Sequence, residues 1–542
     1  MAVTTVAMIC ALVIGAKDAS VKTAGAEEEG GWNLFSNGIV GEWLKFPRKG
    51  RYRISVEARG DSAAGEAPVM LLRAGARRLG RWSVGAKWKT YRVETEIEAG
   101  TRILFVAFVN DYCRRGQDRN LHLRRIVVEG LDGAPEAVVV GEPDWRKDAD
   151  ERIERIRKGA LTVRVLDADG RPVAGARVRV RQKRHEFAFG TAVACRMFLP
   201  DEKLGGRAEV AKRYRRILLE NFNCVVTENA FKWHQMERQR NRPDYEAVDA
   251  TLKWCAEHGM AARGHCIFWA DDRYVPAWAK RLEKDELKKA VGRRISRDLG
   301  RYKGRFAEYD VCNEMIQNHF FERRLGFAAR VEMFKSAKEA DPKARLFLNE
   351  YGVLGGRFLE KYERLIEALR KAGAPVGGIG CQGHFRGRIP PVWMIKNSLD
   401  RLARFGLPIR ITEFDIDTAD QKSKARCLED FYRVCFSHPA VDGILMWGFW
   451  EGRHWCPRAA PWNKNFQPTP AAETYRRLLF EEWWTKADGR TDEHGVYTTR
   501  AFFGVHLVEA GAPDGRKGST TVTLSGSDGK AEVTVTLEKS GE

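Results

Sequence analysis

Short apolar runs and amphipathic segments alternate along residues 187–484. Each apolar run ends on polar residues and is followed by a segment with apolar residues at intervals of three and four. Continuous apolar runs are typical of strands buried on both faces, whereas the wider spacing is typical of helices with one buried face. The apolar runs begin at residues 187, 223, 261, 308, 345, 377, 408 and 443.

The spacing of these runs predicts the fold class. Successive runs begin 31 to 47 residues apart, which is the length of one strand, one helix and their loops. Eight such units predict an α/β fold, and a (β/α)8 TIM barrel is favoured over an open doubly wound sheet. The C-terminal ends of the strands would then meet at one mouth, where barrels of this kind hold their active sites.

Polar or aromatic side chains end seven of the eight predicted strands. A lone carboxylate at a strand end is more often a helix cap or a partner in a loop salt bridge, but that explanation does not account for the whole set. The side chains at these strand ends are Glu228, Asn229, His265, Trp269, Asn313, Glu314, Asn349, Glu350, Tyr351, Gln382, His384, Glu413, Asp415 and Trp447.

Two of these carboxylates indicate the chemistry: Glu314 ends the fourth predicted strand and Glu413 the seventh. Glycoside hydrolysis needs one carboxyl that protonates the leaving oxygen and another that attacks the anomeric carbon. Tryptophan faces suit sugar rings, and amides and imidazoles suit sugar hydroxyls. The sequence has no glycine-rich phosphate loop, no lysine placed alone for a Schiff base and no metal triad with suitable spacing.

Six short motifs follow one another along the predicted barrel. They are "TENAFKW" (227–233), "RGHCIFW" (263–269), "DVCNE" (310–314), "GIGCQGH" (378–384), "ITEFDI" (411–416) and "WGFWEGRHW" (447–455). Together they resemble the motifs of glycoside hydrolase family 10, the family of endo-β-1,4-xylanases, over residues 187–480. The resemblance implies a retaining, double-displacement enzyme that acts on xylan and xylo-oligosaccharides and needs no cofactor for catalysis.

The resemblance also implies a role for each site residue. Glu314 would be the general acid/base and Glu413 the nucleophile, with His384 bonded to the nucleophile and Asp415 supporting His384. Ala270 and Glu350 depart from the family pattern, which usually has histidine and aspartate there, so we expect differences in the outer subsites. The residues expected to bind substrate are Glu228, Asn229, Lys232, His265, Trp269, Asn313, Tyr351, Gln382, His384, Trp447 and Trp455.

Alternating segments flank the predicted barrel. Residues 161–183 alternate around Asp169 and Gly170, which predicts a β-hairpin leading into a barrel domain at 159–485. Residues 486–542 alternate likewise and predict a small C-terminal β addition. Both segments resemble the β addition of plant-type members of the family, and we expect a structural rather than a catalytic role.

Residues 31–130 are rich in strand patterns and predict an N-terminal β-sandwich domain. The stretch from 106 to 128 resembles small calcium-dependent xylan-binding modules. In that case Asn110, Asp111 and Asp118 would offer oxygen ligands to Ca²⁺. The alternative is an ordinary acidic loop. Residues 131–158 are charged, contain two prolines and are expected to be a linker.

The first 26 residues predict a signal peptide. Their apolar stretch, from Val6 to Ala16, is too short to span a bilayer, and Ala24 and Ala26 suit a signal peptidase. We therefore expect a secreted, periplasmic or cell-surface protein with no membrane span. Eleven cysteines show no zinc-binding spacing, and Cys224, Cys312 and Cys381 are expected to be buried thiols.

Charge adds little to this interpretation. Lys and Arg number 93 against 73 Asp and Glu, a net charge of +20, but the excess forms no block. A generally basic surface follows, and no nucleic-acid partner is expected because no basic stripe interleaves with aromatic residues. We expect a monomer. Two alternatives stay open: a glycosidase acting on another β-1,4-glycan, or a catalytically silent glycan-binding protein, which the intact Glu314, Glu413 and His384 disfavour.

Overall fold

The computed structural model describes residues 11–114 and 116–538. The chain divides into two compact units, residues 1–145 and 146–542. Within the described ranges, no helix combines the length and the hydropathy that crossing a membrane requires.

The first unit is a sandwich of two antiparallel sheets. Its strands are β1 (Ala11–Gly15), β2 (Val21–Lys22), β3 (Ala26–Glu28), β4 (Gly31–Leu34), β5 (Gly38–Phe46), β6 (Gly50–Asp61), β7 (Val69–Ala74), β8 (Arg77–Ser83), β9 (Lys89–Ile97), β10 (Gly100–Phe108), β11 (Cys113–Arg114), β12 (Gln117–Asp118), β13 (Asn120–Leu131) and β14 (Val138–Val139).

Alternating residues build the core of this sandwich. One sheet has the order β3-β4-β13-β6-β9, with β1 also paired to β13, and the other has the order β14-β5-β10-β7-β8, with β2 paired to β5. Along β6, Tyr52, Ile54 and Val56 are buried, whereas the residues between them are partly exposed. This period of two is the pattern of strands with one face in a core.

The sandwich extends beyond the predicted limits of 31 and 130. Strand β1 pairs with residues 125–129, and Ile14 is buried in the core. The Ser20 N–H donates to the buried Glu42 carboxylate at 2.8 Å. At the other end, β14 pairs with β5, inside the expected linker. Residues 1–10 of the predicted leader lie outside the described residues, so its cleavage stays a prediction, but 11–28 supply strands to the sandwich.

The second unit contains a barrel and a smaller sandwich. Its helices of four residues or more are α1 (Trp145–Ile156), α2 (Asp201–Leu204), α3 (Ala208–Asn221), α4 (Trp233–Met236), α5 (Glu246–Glu257), α6 (Ala277–Lys280), α7 (Lys284–Arg301), α8 (Phe320–Leu325), α9 (Phe327–Ala340), α10 (Leu359–Lys371), α11 (Val392–Ala403), α12 (Gln421–Phe436) and α13 (Pro470–Arg477), with a 3₁₀ helix at Cys195–Phe198 and a π-helical turn at Leu478–Glu482.

The strands of this unit run from β15 to β30. They are β15 (Lys158–Leu166), β16 (Arg177–His185), β17 (Ala188–Val193), β18 (Cys224–Thr227), β19 (Ala261–Gly264), β20 (Phe268–Trp269), β21 (Glu308–Asn313), β22 (Arg345–Glu350), β23 (Gly378–Arg386), β24 (Ile409–Asp417), β25 (Val441–Met446), β26 (Lys486–Arg490), β27 (Val496–Phe502), β28 (Gly504–Gly511), β29 (Lys517–Leu524) and β30 (Lys530–Thr536).

Strands β17 to β25 close into a parallel barrel. Strand β17 pairs with both β18 and β25, so the sheet has no edge. The third strand is formed in two pieces, β19 and β20, which both pair with β21. The predicted (β/α)8 barrel is therefore confirmed, and the strand ends form one mouth. Cys224, Cys312 and Cys381 are buried, as their apolar surroundings predicted.

The smaller sandwich differs from the predicted hairpin. Strand β15 pairs with β27 and β30, whereas β16 pairs with β26 and β28 in a second sheet. Each strand buries one apolar face in the core between the sheets, β15 through Val163 and Val165 and β16 through Val178 and Val180. β15 and β16 therefore lie in different sheets and face each other across a core, so the predicted hairpin between them is wrong. The other strands of both sheets come from the C-terminal addition.

Candidate active site

The two candidate carboxylates lie at the ends of β21 and β24. Glu413 is in β24 and only 4% exposed, and Glu314 directly follows β21. Glu314 has a φ of 58°, a left-handed conformation that is costly for a residue other than glycine. Its N–H donates to the Asn349 carbonyl at 2.9 Å, which holds this turn in place.

Buried amides join the two carboxylates in one hydrogen-bonded cluster. Gln382 Nε2 donates to Glu314 Oε1 at 3.1 Å and lies 3.4 Å from Asn313 Oδ1. Asn349 Nδ2 donates to Asn313 Oδ1 at 3.0 Å and to Glu413 Oε1 at 2.7 Å. The structure thus brings together the side chains that the sequence placed on separate strands, and fixes the two carboxylates relative to each other.

The surroundings of Glu314 favour its protonated form. Burial raises the pKa of Glu314, and the negative charge of Glu413 raises it further. Hydrogen bonds from Gln382 and from Trp269 Nε1, the latter at 3.0 Å, oppose this effect, as does the nearby His265. Asn318 Nδ2 also donates to Glu314, at 3.3 Å. The net shift is upward, so Glu314 keeps its proton at a higher pH than an ordinary glutamate, as a general acid requires.

The surroundings of Glu413 favour its ionised form. Burial alone would raise the pKa of Glu413, but a hydrogen bond from His384 Nε2 at 2.9 Å and the positive charges of His265 and His384 outweigh it. The pKa of Glu413 is therefore lowered. Two carboxyls in one cluster, with pKa values shifted in opposite directions, are the pattern of an acid paired with a nucleophile or base.

His384 lies between two carboxylates. Its Nε2 bonds Glu413, and its Nδ1 lies 3.0 Å from Asp415 Oδ2, which also accepts Trp455 Nε1 at 2.6 Å. Burial alone would lower the pKa of His384, but the two carboxylates raise it to about 10. His384 is therefore charged at neutral pH, hydrogen-bonded to Glu413 through Nε2 and paired by charge with Asp415 at Nδ1.

We predict that His384→Asn moves the acidic limb of the kcat/KM profile to higher pH. The substitution removes a donor and a positive charge that lower the pKa of Glu413, so Glu413 takes up its proton at a higher pH. The alkaline limb, which reports Glu314, should stay in place. The profile on xylo-oligosaccharides tests this, and an unmoved acidic limb would show that His384 does not set the ionisation of Glu413.

Sequence reasoning predicted His265 but missed Asp310, Arg263 and Asn318, which support the cluster. His265 is 1% exposed, and its Nδ1 lies 2.8 Å from Asp310, which is bonded in turn by the fully buried Arg263. Asp310 lies within an apolar run and not at a strand end. Only the direction of its side chain, into the barrel, would have identified it as part of the site. Asn349 was noted at a strand end but not assigned to substrate, and Asn318 was not considered.

Lys232 is held among the residues expected to bind sugar. Its ammonium donates to Asn229 Oδ1 at 3.0 Å and lies 4.8 Å from the centre of the Trp269 ring and 5.7 Å from that of Trp447. Lys232 is 6% exposed. Burial raises the pKa of Glu228, and the charge of Lys232 offsets only part of that rise. The structure therefore brings the predicted cluster of Glu228, Asn229 and Lys232 together.

We predict that Lys232→Ala weakens transition-state binding by about 1–3 kcal/mol, because hydrogen bonds to charged groups contribute on that scale. The comparison is kcat/KM on xylo-oligosaccharides long enough to fill two sites beyond the cleaved bond. Lys289→Ala, on the exposed face of α7, is the matched control. Equal kcat/KM for both variants would mean that Lys232 only supports the loop.

Aromatic rings line the mouth. Trp269 stacks on Tyr274 with ring centres 3.7 Å apart, and Tyr351 contacts Phe358 edge to face. Trp447 and Trp455 both approach His384, with ring centres 6.1 and 5.1 Å from it. Trp447 is 6% exposed, whereas Trp455 is 55% exposed and so presents a large apolar surface to solvent.

The two departures from the family pattern have structural roles. Ala270 bonds through its backbone alone, donating to Asn313 and accepting from Phe320. Glu350 is 1% exposed, and its carboxyl accepts the N–H groups of Ile316 and Tyr351 at 2.9 and 3.2 Å. Burial and the nearby charge of Glu314 raise the pKa of Glu350 to about 8, so this carboxyl is mostly protonated at neutral pH.

In the first unit, the three predicted calcium ligands differ in their surroundings. Asp111 Oδ1 is buried without a hydrogen-bond partner, and the pKa of Asp111 is raised by burial and by the charge of Asp118. Asn110 differs, because its side chain bonds the Val69 N–H and the Ala67 carbonyl. In the part of the chain that the structure describes, no three His, Cys, Asp or Glu side chains converge as a metal cluster.

A closed barrel with two linked carboxyls and aromatic walls at its mouth defines a glycoside hydrolase. The family model for glycosyl hydrolase family 10 matches residues 182–477, and a model for a Ca-dependent, xylan-binding carbohydrate-binding module matches residues 53–140. The chain therefore belongs to glycosyl hydrolase family 10.

Curated relatives include endo-1,4-beta-xylanase 1 of Arabidopsis thaliana, which is 32% identical over 78% of this chain and 44% of its own length. Anti-sigma-I factor RsgI6 of Acetivibrio thermocellus is 36% identical over 72% of this chain and 50% of its own length. The chain thus spans about half the length of these relatives. Among solved structures, xylanase 10B of Thermotoga petrophila with xylobiose superimposes with a TM-score of 0.50 at 25% identity, covering 55% of this chain and 95% of that one.

Proposed function

We propose that the protein is a retaining endo-β-1,4-xylanase. The observation that carries this proposal is the cluster in which Glu314 and Glu413 share amide partners but have pKa values shifted in opposite directions. Family membership and the xylanases among the relatives support the substrate. The alternatives are another β-1,4-glycan as substrate and a silent glycan-binding protein.

Family membership supports a double displacement. Ionised Glu413 attacks the anomeric carbon while protonated Glu314 donates its proton to the leaving oxygen, which gives a covalent glycosyl-enzyme. Glu314, now ionised, takes a proton from water, and that water attacks the anomeric carbon and releases Glu413. Charged His384 holds Glu413 ionised, and Asp415 keeps His384 charged. Lys232, Glu228 and Asn229 would bond the sugar beyond the cleaved bond.

Parallel digestions test the substrate. Glucuronoxylan, arabinoxylan and mixed-linkage glucan are offered separately, and reducing ends and product lengths are measured. We expect the two xylans to be cut internally into a ladder of oligomers, because Trp447 and Trp455 would leave no room for a hexose hydroxymethyl group. Faster cleavage of glucan would favour the other β-1,4-glycan, and no cleavage of any polymer would favour the silent binder.

We further propose that the first unit binds xylan through Ca²⁺. Asp111 and Asp118 would hold the ion, which leaves positions for backbone oxygens, water and sugar hydroxyls because calcium takes six to eight oxygen ligands. The match of residues 53–140 to a xylan-binding module described as calcium-dependent supports this. The barrel would need no metal for hydrolysis.

We predict that binding of the full chain to insoluble xylan is lost with a chelator and restored by Ca²⁺. The chain carries Glu413→Gln so that the polymer is not digested during the pull-down. Asp111→Ala with Asp118→Ala should abolish the calcium effect, and Asp132→Ala, on an exposed turn, is the control. If neither calcium nor these substitutions change the binding, the proposal is wrong and the segment is an ordinary acidic loop.

We also propose that the protein acts as a monomer outside the cytoplasm, at the cell surface, in the periplasm or in the medium. The proposed polymeric substrate favours a location outside the cytoplasm. Cleavage of the whole predicted leader, residues 1–26, would however remove strands β1 and β2 from the sandwich. Fractionation of the source cells with an antibody to this chain tests the location, and light scattering tests the monomer.

A further inference from the structure

Two stretches at the barrel mouth carry arginines and no carboxylates. One follows β22, at residues 351–358 ("YGVLGGRF"), and the other ends β23 and continues beyond it, at residues 385–391 ("FRGRIPP"). Arg357, Arg386 and Arg388 are all exposed. These three residues are called the arginine rim below.

The topology brings the two stretches side by side. Strands β22 and β23 pair in parallel up to Glu350 and Cys381, so their loops leave the same edge of the barrel. Pro390 Cγ lies 3.4 Å from where a side chain on Gly355 would begin, which shows that the loops touch. Arg386 itself lies opposite Asp417 on the neighbouring strand β24.

The positive charge of the arginine rim is not neutralised by ion pairs. The adjacent carboxylate, Asp417, already accepts a hydrogen bond from Arg458 Nε at 2.6 Å. Within the described ranges, Arg357, Arg386 and Arg388 form no salt bridge with any carboxylate. Arg357 instead lies over the Phe358 ring, 4.8 Å from its centre. The arginine rim is therefore a solvent-facing cationic surface, in which Arg386 lies near the Asp417 carboxylate that Arg458 already bonds.

The arginine rim lies on the leaving-group side of the site. Tyr351 begins the loop that carries Arg357 and directly follows Asn349 and Glu350. The Glu314 N–H donates to the Asn349 carbonyl at 2.9 Å, and the Ile316 N–H donates to the Glu350 carboxyl at 2.9 Å. The general acid must contact the leaving oxygen, so the departing half of a polysaccharide passes along this side of the mouth. Side groups on that half would project toward the loops.

We propose that the arginine rim binds the carboxylates of uronic acid side groups on the xylan backbone. This inference rests on the proposed xylanase function and adds to it an acidic substrate class. Guanidinium groups bind carboxylates through two parallel hydrogen bonds, and at exposed positions this attraction weakens as salt rises. The arginine rim would therefore speed the cleavage of glucuronoxylan relative to an uncharged xylan at low ionic strength.

The test compares substrates that differ only in charge. Full-length protein is assayed on glucuronic-acid-bearing xylo-oligosaccharides, on the same oligosaccharides after reduction of the carboxyl to an alcohol, and on unsubstituted ones. The triple variant Arg357→Gln, Arg386→Gln, Arg388→Gln is compared with a control that carries Arg171→Gln, Arg177→Gln and Arg476→Gln, which removes the same charge from the smaller sandwich and from α13.

We expect the triple variant to lose about fivefold or more in kcat/KM on the charged oligosaccharides at low salt, since each exposed pair contributes modestly. Its rates on the reduced and unsubstituted oligosaccharides should equal those of the parent, and high salt should remove the difference. For each protein, kcat/KM on the charged oligosaccharides is divided by kcat/KM on their carboxyl-reduced forms. The same quotient in parent and triple variant would overturn the proposal, and so would an equal loss on the charged oligosaccharides in the control.

Failure of the proposed xylanase function can be distinguished from failure of the arginine-rim proposal. If the parent cleaves no unsubstituted oligosaccharide, the proposed function fails, and the arginine rim is then tested by retardation of the full chain in gels that contain glucuronoxylan or its carboxyl-reduced form. Stronger retardation by the charged polymer, lost in the triple variant but kept in the control, would support the arginine rim. Equal retardation by both polymers would overturn it.

Discussion

We expect Glu413→Ala to lower the rate of xylan hydrolysis by more than about 10⁴-fold, because no other group can form the covalent intermediate. Glu413 accepts hydrogen bonds from Asn349 and His384, and these donors would be left facing an empty space. The measurement is kcat on xylan and on an aryl xylobioside with a good leaving group. Glu339→Ala, on the exposed face of α9, is the control and should keep full activity.

Added azide distinguishes a lost nucleophile from a damaged fold. A small anion can occupy the space left by the Glu413 carboxylate and attack the aryl xylobioside from the same face, which gives the α-glycosyl azide. We expect azide to restore a measurable rate in Glu413→Ala and to leave the parent unaffected. Residual activity near that of the parent without azide would remove Glu413 from the mechanism.

We expect Glu314→Ala to lower kcat on xylan by about 10²–10⁴-fold, the range that general acid–base catalysis supplies. An aryl leaving group of low pKa departs without a proton, so the first step on such a substrate should be spared. Hydrolysis of the intermediate should become slow, because Glu314 is also the base in that step. Rapid mixing should therefore show a burst of aryl alcohol followed by a slow steady state.

The alkaline limb of the pH profile gives a second measure of the same residue. The raised pKa of Glu314 means that the acid form persists above the ordinary range for glutamate and is lost as pH rises through the shifted value. In Glu314→Ala this limb should disappear on the activated substrate. An equal loss of the first-step rate, measured as kcat/KM, on xylan and on activated substrates would contradict the assignment, as would an unchanged alkaline limb.

The barrel was predictable because its signals are local. Each apolar run and each amphipathic segment carries its own periodicity, so the class of fold follows from counting them. The smaller sandwich was harder to predict, because β15 pairs with strands more than 300 residues away in the sequence. Thr162 of β15, for example, lies beside Thr498 of β27. The edge strand β1 poses the same difficulty, since its partner residues lie at 125–129.

The candidate site was partly predictable for a related reason. Residues at strand ends are marked by an abrupt change from apolar to polar, which identified Glu314, Gln382 and His384. Asp310 is not marked in this way, because it lies inside β21, where only the direction of its side chain connects it to His265. The pKa shifts of Glu314 and Glu413 depend on burial and on contacts between strands, which a single sequence does not specify.

The most direct test of the central claim is the identity of the residue that becomes covalently attached to the sugar. A 2-deoxy-2-fluoro-β-xylobioside with a dinitrophenyl leaving group forms the intermediate but slows its hydrolysis, so the labelled protein can be digested and sequenced by mass spectrometry. We predict one fluoroxylobiosyl group on Glu413 and none in Glu413→Ala. A label on another residue, or no label while xylan is still cleaved, would contradict the account.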